Sequence, residues 1–573
     1  MVNSKNSYLF WLNNILDQKI KKQLKNLNKE QIVANFSNSL IFGTAGMRGT
    51  MQLGTNNINV VTVCKLAQSL SVYMAKHGKQ SIVICFDTRT NSKKFSRIFA
   101  KVMSKNKINV YLFKKFAPTP ICVYATTKLK ADFGVMITAS HNNKQYNGIK
   151  IYGNLGIQIG SDVQREISQI FNEVNEIEIY NKIYKSKLKN NIHYLTTQIS
   201  KDFVKMQKSN YKKNLKIIYT PLNGTGRYCV SNILKTNGYS FKMPKTQKGA
   251  NGLFKTCPYP NPEFKEAFTE SLKLSKKFKA DIIVATDPDA DRIGVMVKHN
   301  DKYIKLSGNE VGYIFAEYLI NKNNSENKFI VTSVVTSPLI NEICKKNNVH
   351  LFKTLTGFKS LGTKTYEVCK KYGKSSFVLC YEESCGYVVN SNYYDKDGIY
   401  ATLLICEIAN SLKCKNKTLI DYLNDIYNKY SYIEALSDSI IYNGKDSLKQ
   451  MNNVVENLRK HKIEKILNYK VTKTVDYLND ETGLEKQNFI EYHLKDIIFI
   501  IRPSGTEPKL KVYLFVKGEQ NTAKDTAKKV LNKIKSVLNN EWKNKTKIKR
   551  INHKKWSVYY ALIKWRCYIC GQG

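Results

Sequence analysis

Residues 282–292 read IIVATDPDADR, an apolar run that ends in three carboxylates. A short apolar run without polar alternation is typical of a strand that is buried on both faces. Asp287, Asp289 and Asp291 follow this strand, and ligands of α/β sheets bind beyond the carboxyl ends of strands. Carboxylates this close repel one another unless a cation lies among them, and Mg²⁺ prefers oxygen ligands. We therefore predict a Mg²⁺ site. The alternatives are a solvated acidic turn and an EF-hand loop, but the EF-hand's downstream Gly and Glu are missing.

Similar apolar runs, rich in Val and Ile, alternate with helix-length amphipathic stretches such as Val60–Lys76 along most of the chain. This alternation predicts an α/β fold with largely parallel sheets. The 573 residues exceed one core and predict three or four domains. The predicted strands are Ser81–Phe86, Ile108–Phe113, Phe133–Ile137, Leu215–Tyr219, Asp281–Ala285, Phe329–Val335 and Ser376–Cys380.

The charge balance is strongly basic, with 92 Lys and Arg against 45 Asp and Glu and a net charge of +47. Such a charge can indicate nucleic-acid or membrane-surface binding. The lysines are spread over every segment, however, and aromatic residues are not interleaved with base-reading motifs. We therefore expect no specific nucleic-acid partner, and we expect the positive potential to attract a phosphorylated small substrate.

The compartment is predicted from three features. No run of about 18 apolar residues exists, which argues against an integral membrane protein, and we expect no membrane partner. Met1–Lys19 shows no uninterrupted apolar stretch and no cleavage signature, so we expect no signal peptide. The thirteen cysteines are an odd number in apolar contexts, which favours reduced thiols in a cytoplasmic protein.

A second motif, ITASHN at residues 137–142, also follows a predicted strand and is followed by NGIK at residues 147–150. Ser140 at a strand end can serve as a nucleophile or phosphate carrier. His141 and Lys150 can supply positive charge or move protons. The alternative is that the hydroxyl and amide side chains only cap a turn or helix.

A third motif, RPSGTEPK at residues 502–509, combines an arginine, two hydroxyl side chains and a glycine. Arginine can form a fork to phosphate, and backbone N–H groups can complete an anion-binding nest. The motif therefore predicts a phosphate-binding loop, with a surface turn bounded by prolines as the alternative.

The remaining motifs are weaker on their own. EESCG at residues 382–386 places carboxylates and a hydroxyl at a strand end, where they can bind a sugar's hydroxyl groups or form an exposed acidic turn. TGFK at residues 356–359 and GTAGMRG at residues 43–49 are glycine turns that each carry a cation, Lys359 and Arg48.

Together these motifs resemble the α-D-phosphohexomutase family of phosphoglucomutases and phosphomannomutases. They stand in the family's order, which is Thr-Ala-Ser-His-Asn, Asp-Pro-Asp-Ala-Asp-Arg, Glu-Glu-Ser-x-Gly and Arg-Pro-Ser-Gly-Thr-Glu-Pro. The resemblance spans about residues 40 to 520. The glycine motifs make the chain similar in particular to the bacterial α-phosphoglucomutase and phosphopentomutase-like branch.

The resemblance implies a four-domain architecture around a central cleft, with three α/β mixed-sheet domains and a smaller C-terminal α+β domain. The expected domains are a phosphoserine-bearing one at 1–206, a metal-binding one at 207–321, a sugar-binding one at 322–431 and a phosphate-binding one at 432–543. Residues 544–573 are expected to form a basic, disordered tail.

The resemblance also implies a role for each candidate residue. Ser140 would carry a phosphoryl group and, with the three aspartates, hold one Mg²⁺ per chain. Arg48, His141 and Lys150 would act near it, with Lys150 a candidate general acid/base. Substrate binding would fall to Arg292, Lys359, Glu382, Ser384, Arg502, Ser504, Gly505 and Thr506.

The implied activity is a phosphohexomutase that moves phosphate between positions 1 and 6 of glucose or mannose through a 1,6-bisphosphate, with a glucose 1,6-bisphosphate-type activator. A phosphopentomutase acting on ribose or deoxyribose phosphate is the alternative on the same site. The chain would be a monomer or homodimer. Two other classes stay open: a phosphotransferase with Asp287 as nucleophile, and a nucleic-acid-binding protein driven by charge.

Overall fold

The computed structural model describes residues 2–43, 46–186, 191–206, 213–442, 447–504 and 509–539. The predicted tail at 544–573 lies outside them. The chain divides into two compact units, residues 1–336 with 340–430 and residues 337–339 with 431–573. Among the described helices, none is both long and apolar enough to cross a membrane.

The first unit begins with a seven-stranded sheet. Its strands are β1 (Phe42–Gly43), β2 (Gly46–Thr50), β3 (Ser81–Phe86), β4 (Asn109–Phe113), β5 (Phe133–Ile137), β6 (Tyr146–Gly153) and β7 (Ile192–Leu195). They lie in the order β1-β2-β6-β5-β3-β4-β7. The neighbours β5, β3, β4 and β7 run parallel, whereas β6 runs antiparallel to β5.

In the part of the chain that the structure describes, nine helices accompany this sheet, and apolar faces of several of them share one core with its strands. They are α1 (Val2–Asn14), α2 (Gln18–Lys25), α3 (Lys29–Phe36), α4 (Val60–Lys76), α5 (Ser92–Lys105), α6 (Thr119–Lys128), α7 (Ser161–Glu173), α8 (Glu176–Tyr184) and α9 (Gln198–Lys205). Helix α4 begins at a capping box in which the Asn59 side chain accepts backbone N–H groups of the first turn.

A five-stranded sheet follows in the order β12-β11-β10-β8-β9. Its strands are β8 (Lys216–Thr220), β9 (Ser240–Lys242), β10 (Ile282–Thr286), β11 (Ile293–His299) and β12 (Lys302–Leu306), with helices α10 (Gly226–Thr236) and α11 (Thr269–Phe278). Every residue of β10 is buried, as its unbroken apolar run predicts.

The third sheet has four strands in the order β14-β13-β15-β16. These are β13 (Phe329–Ser333), β14 (His350–Thr354), β15 (Phe377–Glu382) and β16 (Gly386–Val388). The accompanying helices are α12 (Gly308–Lys322), α13 (Leu339–Lys346), α14 (Phe358–Tyr372), α15 (Gly398–Lys413) and α16 (Leu419–Lys429).

The second unit carries a five-stranded antiparallel sheet in the order β17-β23-β22-β21-β20 and a two-stranded ribbon. The strands are β17 (Ile433–Ile441), β18 (Lys465–Ile466), β19 (Tyr469–Lys470), β20 (Lys473–Asp476), β21 (Ile490–His493), β22 (Ile497–Pro503) and β23 (Lys509–Lys517). Helices α17 (Ser447–Lys460) and α18 (520–539) cover the sheet.

The fold class that the resemblance implies, with three mixed-sheet α/β domains and an α+β domain, is confirmed. The largely parallel sheets expected from the alternation of strands and helices alone are instead mixed. In each of them the strand that precedes a chemical motif pairs antiparallel with the strand that follows it: β5 with β6, β10 with β11 and β15 with β16. A short loop can join only antiparallel neighbours, because a parallel partner needs a long crossover. The chemical motifs are therefore hairpin loops, which is why they interrupt the parallel order.

Segments of the three sheets of the first unit approach one another at backbone distance. A Cβ atom on Gly252 would lie 2.5 Å from Thr90 N. A Cβ atom on Gly398 would lie 2.8 Å from Ala290 O. Only glycine fits such contacts, and they fasten the loops that carry the site.

Candidate active site

Ser140 lies buried in the loop between β5 and β6. Its φ of 50° is in the left-handed region, which costs a residue with a side chain about 1–2 kcal/mol. Its N–H donates to the Thr138 hydroxyl at 2.8 Å. Its Oγ donates to Asp287 Oδ2 at 2.6 Å and lies 3.2 Å from His141 Nδ1. The serine hydroxyl therefore bridges the first sheet's loop and the acidic loop of the second sheet.

Asp287, Asp289 and Asp291 lie in the loop between β10 and β11, and all three are buried. One oxygen from each lies within 4.8 Å of the others. Asp289 Oδ1 and Asp291 Oδ1 are buried without a hydrogen-bond partner. Burial and the two neighbouring carboxylates raise the pKa of Asp287 well above its usual range. Buried carboxylates with unsatisfied oxygens fit a hard divalent cation such as Mg²⁺.

Two buried lysines offset part of this negative charge. Lys150 Nζ donates to Asp289 Oδ2 and to Asp291 Oδ2, each at 2.7 Å. Lys396 Nζ lies 3.4 Å from Asp291 Oδ2 and 3.3 Å from Asp395 Oδ1. Burial lowers both lysine pKa values, but the adjacent carboxylates outweigh it and raise them. Both ammonium groups are therefore held protonated.

His141 differs from the lysines because the carboxylate of Asp291 does not outweigh its burial and the nearby arginines. Burial, together with the nearby Arg292 and Arg48, lowers the pKa of His141 well below its usual value. Its imidazole is therefore neutral at pH 7 and offers a hydrogen bond to Ser140 without adding a charge.

Lys396 is a residue that the sequence reasoning missed. It belongs to DKDG at residues 395–398, directly before α15. Asp397 is the N-cap of that helix and accepts the Ile399 and Tyr400 N–H groups. A lysine between two aspartates at the start of an apolar helix was the available signal, because a charged group so placed is carried into the interior. The Phe358 ring lies 4.5 Å from Lys396 Nζ and covers it.

We expect Lys396→Met to destabilise the protein by roughly 3 kcal/mol, because it removes one of the two lysine cations that face the buried carboxylates. Methionine is close to lysine in length, so the effect reports the lost ammonium group, including its contact with the Phe358 ring. Urea unfolding measures it. Lys413→Met is the matched control, since Lys413 pairs with Asp281 at 2.7 Å where both side chains are about one third exposed. Its cost should stay below about 1 kcal/mol, and equal costs for the two variants would contradict the prediction.

Arg292 connects the acidic loop to the loop between β15 and β16. Its Nη1 donates to Ser384 O at 2.7 Å, and its Nη2 lies 3.6 Å from Glu382 Oε1. Its Nε lies 3.9 Å from Asp291 Oδ1. Arg292 also forms an isolated β-bridge with Gly386. The structure thus brings the sequence-predicted Arg292, Glu382 and Ser384 together beside the carboxylates.

Arg48 and Lys359 occupy different places. Arg48, on β2, donates from Nη1 to Asn142 Oδ1 at 2.8 Å and so lies against the serine loop. Lys359 lies in the first turn of α14, after Gly357 with a φ of 101°. Its Nζ donates to Ser161 Oγ at 2.6 Å at the start of α7. This contact places Lys359 between the first and third sheets rather than on the carboxylate group.

The phosphate-loop candidates belong to the second unit. Arg502 lies near the end of β22, opposite Lys511 on β23. Ser504 N donates to Lys509 O at 2.8 Å, so the loop between the two strands begins as a hairpin. Gly505 and Thr506 lie outside the described residues.

Comparisons with known proteins agree with this fold. The phosphoglucomutase/phosphomannomutase alpha/beta/alpha domains I, II and III match residues 39–178, 193–300 and 307–430, and the C-terminal domain of that family matches residues 451–533. A phosphoglucomutase of Staphylococcus saprophyticus is 33% identical over 531 residues, covering 89% of this chain and 96% of the relative.

Two solved structures share the fold. A phosphoglucomutase/phosphomannomutase family protein from Burkholderia thailandensis has a TM-score of 0.66 at 16% identity, covering 87% of this chain and 97% of that one. The open form of the Paramecium phosphoglucomutase parafusin has a TM-score of 0.63 at 19% identity, covering 88% and 95%.

The fold and the matched domains define a phosphosugar isomerase of the phosphohexomutase type. The chain belongs to the phosphoglucomutase/phosphomannomutase family.

Proposed function

We propose that this enzyme interconverts a hexose 1-phosphate and the corresponding 6-phosphate, with glucose or mannose as the sugar, through phospho-Ser140 and a 1,6-bisphosphate. The observation that carries the proposal is the 2.6 Å contact between Ser140 Oγ and Asp287 in a buried group of three carboxylates. The Staphylococcus saprophyticus relative is named a phosphoglucomutase, which supports glucose.

The transfer step uses Ser140 as a reusable carrier. The sugar's free hydroxyl oxygen forms a bond to phosphorus while the bond between phosphorus and Ser140 Oγ breaks, giving the 1,6-bisphosphate. The sugar hydroxyl gives up a proton in this step, and Ser140 Oγ gains one as its bond to phosphorus breaks. Lys150 is the candidate acid/base for this exchange, and His141 Nδ1, 3.2 Å from Ser140 Oγ, is placed to hydrogen-bond the leaving oxygen. After the bisphosphate turns over, Ser140 takes the other phosphate by the reverse step, so no phosphate is gained or lost.

Asp287, Asp289, Asp291 and Ser140 are the residues that would hold a Mg²⁺ ion. When bound, such an ion neutralises charge on the transferring phosphoryl group. The chain's own contribution is to keep three carboxylates together out of water. Lys150 and Lys396 lower the pKa of Asp291 although burial opposes its ionisation. These lysines therefore keep that carboxylate charged for a ligand.

Substrate binding is assigned to groups from three loops. Glu382 and Ser384 would bind the sugar's hydroxyl groups, with Arg292 holding their loop in place. Lys359 would contact the substrate from the third sheet. Arg502, Ser504, Gly505 and Thr506 would hold the phosphate that is not reacting. A loop that binds phosphate rather than the sugar accepts both orientations of the bisphosphate.

We also propose a cytoplasmic location, because the eleven cysteines that the structure describes are all free thiols and ten are buried.

The experiment that tests the function compares kcat/KM for glucose 1-phosphate, mannose 1-phosphate and ribose 1-phosphate, with Mg²⁺ and glucose 1,6-bisphosphate as activator. We expect a hexose phosphate to give the highest value and the resting enzyme to carry one acid-stable phosphoryl group on the peptide that contains Ser140. A dominant pentose value would favour a phosphopentomutase. An acid-labile phosphoryl group on Asp287 would contradict the serine scheme.

A further inference from the structure

We propose that Arg89 is a positioning residue for Ser140: its guanidinium holds the serine loop in the backbone conformation that aims Oγ at Asp287. This inference rests on the proposed role of Ser140 as the phosphoryl carrier. Arg89 lies in the turn after β3, next to the strand that ends at the serine loop, and its side chain is fully buried.

The Arg89 guanidinium donates hydrogen bonds to several backbone carbonyls of the serine loop. Arg89 Nη2 donates to Ser140 O at 2.5 Å and also to Asn142 O. Arg89 Nη1 donates to Asn143 O at 2.7 Å and to Tyr146 O at 3.2 Å. Four carbonyls of the connection from Ser140 to Tyr146 therefore converge on a single cation. A planar fork suits this arrangement, because its donors have fixed directions.

Asp87, the ion-pair partner of Arg89, holds the serine loop on the N-terminal side of Ser140. Asp87 Oδ2 accepts the Thr138 hydroxyl at 2.7 Å, and that hydroxyl accepts Ser140 N–H at 2.8 Å. Asp87 Oδ2 also lies 3.3 Å from Arg89 Nε. The peptide groups before and after the Ser140 side chain are thus fixed by an ion pair, Asp87–Arg89. A left-handed residue that is not glycine needs such restraint to persist.

Arg89 is itself held in place by the residues packed around it. The Phe254 ring lies 5.0 Å from its guanidinium carbon. Gly252 approaches the Arg89 turn so closely that its Cβ would lie 2.7 Å from Thr88 O. Asp87 Oδ1 accepts both the Arg89 N–H at 2.9 Å and the Ser92 hydroxyl at 2.7 Å. Arg89 and its ion-pair partner Asp87, which together form a clamp on the serine loop, are therefore anchored in α5 and in the second sheet's long loop.

These contacts predict a defect in turnover rather than in binding. A loop without its guanidinium can place Ser140 Oγ elsewhere, and small misplacements of a reacting group are costly. The groups assigned to the sugar and to the distant phosphate lie on other loops and are unaffected.

We test this with Arg89→Lys and Arg89→Ala in the full-length enzyme, measuring kcat, KM for glucose 1-phosphate and the rate at which glucose 1,6-bisphosphate phosphorylates Ser140. We expect kcat and the phosphorylation rate of Arg89→Lys to fall together by about 100-fold, with KM changed less than threefold. We expect added guanidinium ion to raise the activity of Arg89→Ala at least tenfold. A variant that had lost its fold could not be rescued in this way.

The control is Arg459→Lys. Arg459 is a largely buried arginine, 15% exposed, bound to Asp476 at 2.8 Å and 3.0 Å and to Asn488, and neither partner belongs to the site. It should keep wild-type kcat. Asp87→Asn keeps the shape of the clamp and serves if both Arg89 variants fail to fold; its kcat should fall about tenfold.

Folded Arg89→Lys, or in its place folded Asp87→Asn, with wild-type kcat would overturn the clamp while leaving the proposed function intact. Ser140→Ala is assayed beside them, and its full turnover would overturn the proposed function itself.

Discussion

We expect Ser140→Ala to lose hexose-phosphate mutase turnover by about 10,000-fold or more, because alanine removes the oxygen that we propose as the phosphoryl carrier. The protein should still fold, since alanine meets the same left-handed backbone requirement as serine. The lost Oγ contact leaves Asp287 one donor short, which costs roughly 1–2 kcal/mol. Coupled assay of glucose 6-phosphate formation measures turnover, and mass spectrometry should find no phosphoryl group on the peptide.

Ser96→Ala is the matched control for this loss. Ser96 is a buried serine of α5 whose hydroxyl donates to Lys93 O at 3.0 Å within its own helix. Ser96→Ala removes the same hydroxyl oxygen from a buried serine beside the first sheet, and this variant should keep normal turnover. Wild-type turnover by Ser140→Ala, or a phosphoryl group found on another residue, would contradict the assignment of Ser140.

We expect removal of divalent cations with EDTA to lower kcat by about 1,000-fold, because neutralising the transferring group supplies several kcal/mol. Added Mg²⁺ should also raise the thermal unfolding temperature by several degrees, since a ligand at 100 times its Kd stabilises the folded state by about 2.7 kcal/mol. Asp289→Asn should abolish most of that thermal shift. The shift is a readout that does not depend on turnover.

Asp301→Asn serves as the control for this second effect. Asp301 is an exposed aspartate that pairs with Lys298 at 2.9 Å, and it lies outside the carboxylate group. Its Mg²⁺-dependent thermal shift should equal that of the wild type. An unchanged shift in Asp289→Asn would show that the stabilising ion binds elsewhere and would contradict the predicted site.

Much of the fold was predictable because buried strands reveal themselves as unbroken apolar runs. The run at residues 281–285 corresponds to β10, and that at 376–380 corresponds to most of β15. The antiparallel returns β6, β11 and β16 were not predicted. The direction of each of these strands depends on how the loop before it turns back. The sequence of a short chemical motif does not reveal that the motif forms a hairpin.

The three aspartates and Ser140 were predicted because each of their motifs is a short run of consecutive residues whose chemistry is visible in the sequence. Arg89 and Lys396 were missed for the opposite reason. Their importance depends on partners far along the chain, such as Ser140 for Arg89 and Asp291 for Lys396. The two aspartates that flank Lys396 are a local signal of a buried charge, but nothing near Lys396 in the sequence indicates its contact with Asp291. The contact of Lys359 with Ser161 is likewise a long-range fact.

The contributions of three sheets to one group of charges bear on how the enzyme is made. Ser140, Asp291 and Lys396 emerge from the ribosome in that order, and the acidic loop between β10 and β11 contacts both Ser140 and Lys396. A nascent chain that has released only its first sheet holds Ser140 without Asp287 beside its hydroxyl. We therefore expect no turnover before translation has passed Thr506, the last of the proposed phosphate-binding residues, and a product truncated earlier would consume no sugar phosphate.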